Sequence, residues 1–513
     1  MYHPPDPVRM SSPFSRTLET ATAVLAITLA IMLAVACART AKPRAVDRLH
    51  ACGSDEGPTD AFCGTFSVFE NRETQQGRQI VLKIVVFPAL SNEPKPDPLF
   101  FLAGGPGQSA TALAKPLKDV FRRIQADRDI VYVDQRGTGK SNPLGCDADD
   151  DSLAGLNEPD ELALSRLKTC LAGYDADPTL YTTTIAMDDL DDVRAYLGYD
   201  QINIYGGSYG TRAGLVYLRQ HGDRVRAIVL DGNAPTNMRL PLFFPRDAQR
   251  ALDRLLTDCD ADAGCRTKYP QLGSRLVALL GRLAKAPPRL RLTHPRTGVA
   301  EEVTVEASFV ANVIASALYS PMLTALVPEL VDRADAGDFQ GLLAMGLLGD
   351  GGGDGAMSIG MQLSVICAED YPRIAPGDLE RESGGTVFAT YLLRAQTKAC
   401  RFWPKGQVDS AFYEPVTSTV PALVLSGDLD PVTPPAWGQS VADHLSKSTH
   451  VVVSGTGHGA INTGCGRRMV RDFIRAGTVD GLDTGCATAV QRPPFFLTPA
   501  GPDPETPHRT ATP

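Results

Sequence analysis

Seven apolar runs of strand length, closed by turn residues and separated by helical stretches, restrict this chain to one broad architecture. They are IVLKIVVF (80–87), LFFLA (99–103), DIVYVD (129–134), INIYG (202–206), AIVLD (227–231), ALVLSG (422–427) and HVVVSG (450–455). A strand that is apolar throughout is buried on both faces, and helices between successive strands supply the cover. The expectation is a mostly parallel sheet between two helical layers. One such helix is expected over 186–197, where Met187, Leu190, Val193, Ala195 and Leu197 form an apolar stripe.

The alternation lapses from about 233 to 419, where helical segments such as AQRALDRLLTDC and SFVANVIASAL dominate, and this block reads as an inserted helical cap. Within it, DGGGDG (350–355) can bury nothing and reads as a mobile loop. The core is therefore divided into 38–232 and 420–491, and the Pro-rich segment 492–513 reads as a disordered tail. Hydrophobic residues make up 43% of the chain and charged residues 21%, which excludes a wholly disordered chain. The net charge of −9 leaves no basic footprint for nucleic acid.

Residues 1–37 read as an export signal. After Arg9 and Arg16, residues 20–38 carry no charge, and their centre AVLAITLAIMLAVA (23–36) has the length of a signal-peptide apolar region. An uncleaved anchor is the alternative, because the uncharged stretch approaches the ~20 residues that span a bilayer. Cys37 after Ala34-Val35-Ala36 resembles a bacterial lipoprotein cleavage site, with Ala34 where Leu is usual. The destination is the periplasm, the cell envelope or the medium, and a membrane is involved only through this segment.

The cysteines agree with export. Of 11 in the chain, those other than Cys37 form an even set, as disulfides require. No two stand in C-x-x-C spacing and none has a histidine at finger spacing, so a zinc site lacks ligands. Neighbours are expected to pair: Cys52 with Cys63, Cys146 with Cys170, Cys259 with Cys265, Cys367 with Cys400, and Cys465 with Cys486.

Chemistry gathers at four turns that follow expected strands. GGSYG (206–210) stands between INIYG and the helical TRAGLVYLRQHG, the strand, sharp turn and helix setting of a nucleophile elbow, with Ser208 at the apex. In LAGGPGQS (102–109), Gly104 and Gly105 leave backbone N–H groups free to approach an oxyanion. GDLDPVTPP (427–435) carries Asp428 and Asp430, and GTGHG (455–459) carries His458. The chain order Ser, Asp, His is that of an α/β-hydrolase triad. Of the histidines after Asp430, His444 fits a helix, His450 begins a strand and His508 lies in the tail, leaving His458 as the base. Asp430 is taken as its orienter, and Asp428 as a turn-forming carboxylate. GTGKS (137–141) ends like a phosphate-binding loop, but Asp134 occupies the place of its first glycine, and no H-E-x-x-H is present.

GGSYGT, AGGPGQS, VDQRGTGKS, GDLDPVTPP and GTGHG, in this order, resemble the tripeptidyl aminopeptidase and proline iminopeptidase branch of the α/β hydrolases, as does the segment ending LDTGC. The resemblance runs from roughly 63 to 486. It implies an α/β-hydrolase fold with an inserted cap, and a nucleophile at Ser208, an acid at Asp430 and a base at His458. It also implies oxyanion donors from the backbones of Gly105 and Tyr209, and an exopeptidase whose cap grips the free amino end of a peptide substrate. Proline iminopeptidases carry His before the double glycine and Trp after the serine; here these are Ala103 and Tyr209, which leans toward the tripeptidyl branch. Acyl transfer of this kind requires no metal or organic cofactor. Other relatives are esterases, so a carboxylesterase is the second reading, and a non-catalytic binding protein on the same fold is the third.

An ammonium group held under a cap needs a paired carboxylate. In ICAEDYP, Glu369 and Asp370 follow Cys367, whose bridge to Cys400 would hold them in place. They are expected to bind the substrate's amino end, Glu369 first, with solvated surface acids as the plain alternative.

Overall fold

Two units, Met1–Arg44 and Ala45–Pro513, make up the computed structural model, which describes residues 1–5, 44–146, 153, 160–349, 357–498 and 500–502. The expected export segment beyond residue 5, with Cys37, and the loop 350–355 lie outside the described residues. No helix of the described residues is long and apolar enough to cross a membrane.

In the second unit, strands β1 (His50–Ala51), β2 (Phe62–Phe69), β3 (Gln79–Phe87), β4 (Leu99–Leu102), β5 (Ile130–Val133), β6 (Ile202–Gly207), β7 (Val225–Asp231), β8 (Arg289–Thr293), β9 (Ala300–Thr304), β10 (Ala422–Gly427) and β11 (Ser448–Val453) form two sheets. The larger is nine-stranded, in the order β1-β2-β3-β5-β4-β6-β7-β10-β11. Pairing is antiparallel from β1 to β5 and parallel from β5 to β11. All seven apolar runs became strands of this sheet. The others, β1, β2, β8 and β9, each include exposed residues and carry no continuous apolar run.

Helices Ala114–Gln125 (α1), Thr183–Leu197 (α2) and Tyr209–His221 (α3) precede the cap; Phe244–Ala261 (α4), Leu272–Lys285 (α5), Ala307–Ala317 (α6) and Val327–Asp335 (α7) lie within it; Pro435–Ala442 (α8) and Gly464–Ala476 (α9) follow it. Strand side chains alternate between two helical layers. On β4, Phe100 and Leu102 pack with Leu190 and Val193 of α2 and Leu215 and Val216 of α3. Leu99 and Phe101 turn the other way, onto Phe121 and Ile124 of α1 and Met469 and Phe473 of α9. Each such side chain taken from water contributes about 1.5–3 kcal/mol, and this two-sided burial favours apolar residues along the strands.

The cap has its own core, in which Leu252 and Leu255 of α4 meet Leu276 and Leu279 of α5, Val310 and Ile314 of α6 and Val331 of α7. It is not wholly helical, because β8 and β9 form an antiparallel hairpin within it. The tail also departs from expectation. Residues 492–498 pack on the cap rather than trailing free: Phe495 is buried in the cap core, Arg492 pairs with Asp258 at 3.0 Å, and Tyr269 donates to the Phe496 carbonyl at 2.8 Å. The aromatic and aliphatic residues among the prolines account for this.

All ten described cysteines are paired as neighbours, Cys52–Cys63, Cys146–Cys170, Cys259–Cys265, Cys367–Cys400 and Cys465–Cys486. Non-reducing peptide mapping of the purified protein should recover these five links, and thiol titration of denatured, unreduced protein should find none of the ten free. Reduction should lower the melting temperature, since each link contributes about 2–4 kcal/mol. Abundant free thiols among them would contradict the pairing.

Candidate active site

Five neighbouring strands of the parallel region, β4, β6, β7, β10 and β11, end along one edge, and each delivers one group to a common centre. These are the Gly104–Gly105 loop after β4, Ser208 after β6, Asp231 at the end of β7, Asp430 after β10 and His458 after β11. The edge is lined by a cavity of about 560 Å³ whose wall includes Gly105, Ser208, Tyr209, Asp231 and His458.

Ser208 sits between β6 and α3 with φ 57° and ψ −126°. A non-glycine residue held at positive φ stores of order 1–3 kcal/mol of strain, and here that strain lifts the hydroxyl away from both flanking elements. The turn closes only because its glycines lack side chains: a Cβ on Gly206 would lie 2.3 Å from the Gly210 carbonyl oxygen. Tyr209 opens α3, and its N–H, in the first turn, has no acceptor within the helix. Gly105 has φ +105°, a conformation that a residue with a Cβ rarely adopts, and Gly104 approaches Ser208 so closely that a Cβ there would lie 3.1 Å from the serine Cβ.

This loop is braced by Asp134, at the end of β5. Its carboxylate accepts from Ser109 Oγ at 2.8 Å, Thr111 N at 2.9 Å, Thr111 Oγ1 at 2.7 Å and Lys140 N at 3.0 Å. GTGKS is thus a turn folded onto a buried aspartate rather than a phosphate cradle.

His458 Nδ1 lies 2.8 Å from Asp430 Oδ2. Asp430 is fully buried and also accepts from Val432 N at 2.9 Å, Thr433 N at 2.8 Å and Thr433 Oγ1 at 2.8 Å. Burial alone would raise its pKa, but His458 and these donors outweigh burial and hold it below the usual carboxylate range. For His458, burial disfavours the imidazolium, yet Asp430, with a smaller contribution from Asp231, raises its pKa above the ordinary value. Asp428 does not touch the ring; it accepts from Thr456 N at 3.2 Å, tying the acid turn to the histidine turn. The cap holds both turns: Arg250 of α4 donates to the carbonyls of Asp428 and Asp430, and the Tyr319 carbonyl accepts from His458 N at 2.9 Å. The Tyr319 ring stands edge-on to the imidazole with centroids 5.1 Å apart.

Asp231 was not singled out in the sequence. Its backbone carbonyl accepts from Ser208 N at 2.9 Å, while its carboxylate, 1% exposed, accepts from Ala460 N at 2.8 Å, Ile461 N at 2.9 Å and Tyr205 Oη at 2.8 Å. One residue therefore ties the serine turn to the segment following His458. Gly232, next in sequence, packs so near the ring that a Cβ there would lie 3.1 Å from His458 Cε1. Burial pushes the Asp231 carboxyl above its ordinary pKa, and its three donors and His458 offset part of that. The available signal was an acid closing the apolar run AIVL of β7, beside the elbow strand.

Glu369 and Asp370 are not where the sequence reading expected them. Both are fully buried and neither lines the cavity. Arg212 of α3, also fully buried, contacts Asp370 at 2.9 and 3.1 Å and Glu369 at 3.5 Å. Glu369 accepts from Thr183 N at 2.7 Å and from Thr183 Oγ1 at 3.0 Å, and that hydroxyl meets Tyr209 Oη at 2.7 Å. Burial pushes Glu369 up to about 7, with Arg212 working against it. An arginine sealed in the helix behind the serine needs counter-charges, and these two carboxylates supply them. They brace the elbow from the cap side instead of meeting substrate. The signal was Arg212 itself, in the apolar run of α3.

Two family models match the sequence: one for the alpha/beta hydrolase fold over residues 97–297, and one described as TAP-like protein over residues 385–486. The chain is 27% identical to serine protease Hip1 of Mycobacterium tuberculosis, across 84% of this chain and 88% of that protein. It is 24% identical to the tripeptidyl aminopeptidase of Streptomyces lividans, across 90% of each. A shorter match, 31% identical, covers 28% of this chain and 34% of the proline iminopeptidase of Neisseria gonorrhoeae.

Ser208→Ala and His458→Ala should each lower kcat/KM at least about a thousandfold, Asp430→Asn about a hundredfold or more, and Asp428→Asn less than about tenfold. Steady-state kinetics on the four proteins check this, and equal losses at the two acids would assign the wrong orienter. Asp231→Asn tests the second carboxylate. Activity needs neutral His458, so kcat/KM rises with pH through the histidine pKa; removing a charge that raises that pKa should move the acid limb to lower pH. An unmoved acid limb in folded Asp231→Asn would leave Asp231 as scaffolding only.

Proposed function

We propose that this chain, which has the α/β-hydrolase fold and is similar over most of its length to proteins named serine protease and tripeptidyl aminopeptidase, is an exported aminopeptidase. It releases short peptides from the free amino end of its substrates through Ser208, His458 and Asp430. The observation that carries this reading is the commitment of His458 Nδ1 to buried Asp430, which leaves Nε2 as the nitrogen for Ser208 in the cavity that both line.

Nε2 takes the hydroxyl proton as Ser208 Oγ bonds to the substrate carbonyl carbon, and Asp430 stabilises the imidazolium that forms. The N–H groups of Gly105 and Tyr209 stabilise the oxyanion. On collapse the C–N bond breaks and the imidazolium proton goes to the departing amine. Water, deprotonated by His458, then hydrolyses the acyl-enzyme and restores the serine.

Similarity over most of the chain to proteins named serine protease and tripeptidyl aminopeptidase favours a peptide substrate. With Glu369 and Asp370 sealed behind the elbow, the cap residues left to receive the substrate's ammonium group are Gln362 and Gln396, which line the cavity and whose side-chain amides include an acceptor oxygen. Five disulfides support export.

A panel of mono-, di- and tripeptidyl coumarylamides, each free and N-acetylated, together with small p-nitrophenyl esters, tests the proposal on wild type and Ser208→Ala. Free peptides should be cleaved roughly tenfold or more faster than acetylated ones, and Ser208→Ala should cleave neither. Equal rates would remove amino-end recognition. Turnover of esters alone would make the protein a carboxylesterase, and no turnover together with no fluorophosphonate labelling of Ser208 would make it a binding protein.

A further inference from the structure

The cavity beside Ser208 has one wall that the acyl-transfer chemistry does not use. We infer that this wall is the subsite for the side chain of the residue whose carbonyl Ser208 attacks, and that it selects a large aromatic or branched aliphatic side chain. This rests on the aminopeptidase reading for the nature of the substrate, but not for the presence of the subsite.

The wall consists of Phe101, Leu113, Leu117, Phe121, Tyr205 and Ile461. All six belong to or pack against the core cluster on the α1 and α9 side of the sheet. Phe101 lies on β4, shortly before the Gly104–Gly105 loop, and Tyr205 lies on β6, shortly before Ser208. The strands that carry the oxyanion loop and the nucleophile thus also carry the two rings. Those rings stack with centroids 5.9 Å apart and planes 9° apart, and Phe121 meets Tyr205 edge-on at 5.3 Å. An acyl group bonded to Ser208 therefore has an aromatic and aliphatic surface next to its first side chain.

The polar groups on this side are already engaged. Tyr205 Oη donates to Asp231 Oδ2, and the Ala460 and Ile461 N–H groups donate to the same carboxylate. A charged or strongly polar side chain entering here would lose water and find these partners taken. A small side chain would leave the space beside this wall unfilled. A lysine or arginine is the one exception to consider, because Asp231 carries the only carboxylate in the cavity wall among the described residues.

Two substrate series on the full-length wild-type enzyme test the inference. The first is Ala-Ala-X-coumarylamide with a free amino end and X as Phe, Leu, Ala, Pro or Lys. The second compares p-nitrophenyl phenylacetate with p-nitrophenyl acetate and does not depend on peptidase activity. Phe and Leu should exceed Ala, Pro and Lys in kcat/KM by roughly tenfold or more, and phenylacetate should exceed acetate after correction for intrinsic reactivity. Leu117→Trp, which crowds the wall from α1, should lower the Phe-to-Ala ratio at least about fivefold; its melting curve checks that it is folded. A flat profile in both series would overturn the subsite. A Lys preference would overturn it in favour of recognition by Asp231. Selectivity among esters with no peptide cleavage would uphold the subsite while refuting the aminopeptidase reading.

Discussion

Everything in the candidate site depends on the parallel pairing of β4, β6, β7, β10 and β11. Hydrogen bonding holds adjacent strands about 4.8 Å apart, and parallel pairing brings all their C-terminal ends to one edge. Residues that follow those strands are therefore placed side by side however far apart they stand in the sequence. The order along the edge, oxyanion loop, serine, Asp231, Asp430 and histidine, follows the strand order. Because both faces of the sheet are packed, no strand can slip by one residue without turning its buried side chains onto the wrong helical layer. Burial therefore specifies the position of each reacting group to within hydrogen-bonding distance of its partner.

That dependence explains what could be read from the sequence. Continuous apolar runs and glycine-flanked turns are local, so the sheet core, Ser208, Asp430 and His458 were legible as candidates, and so was neighbour pairing of the cysteines. Strand β2 was not, because exposed residues interrupt its apolar run. Asp231 was not, because its importance lies in bonds to Ser208, Ala460 and Ile461, which approach it from other strands. Glu369 illustrates the opposite error. Its setting beside a disulfide cysteine suggested a positioned site, but the groups that hold it, Thr183 and Arg212, belong to helices far away in sequence.

The cap contributes more than a cover over the cavity. Arg250 holds the backbone of the acid turn, Tyr319 holds the backbone of His458, and Glu369 and Asp370 neutralise the arginine behind the serine. Each of these contacts reaches a different catalytic turn. Changes to the cap aimed at substrate choice will therefore also alter the placement of the catalytic groups, unless they are confined to side chains such as Gln362 and Gln396 that face the cavity.

The position of the cap along the chain has a consequence during synthesis. Strands β7 and β10 are neighbours, with Asp231 opposite Leu425, yet the entire cap is made between them. The serine turn is complete early, whereas the acid and the base arrive only with the last two strands. Contacts so remote in sequence form late, because the intervening chain must be closed before they yield any stabilisation. A nascent or truncated chain thus contains the proposed nucleophile without its proposed base and acid. In a hydrolase ordered in this way the proposed triad is incomplete until translation has nearly finished.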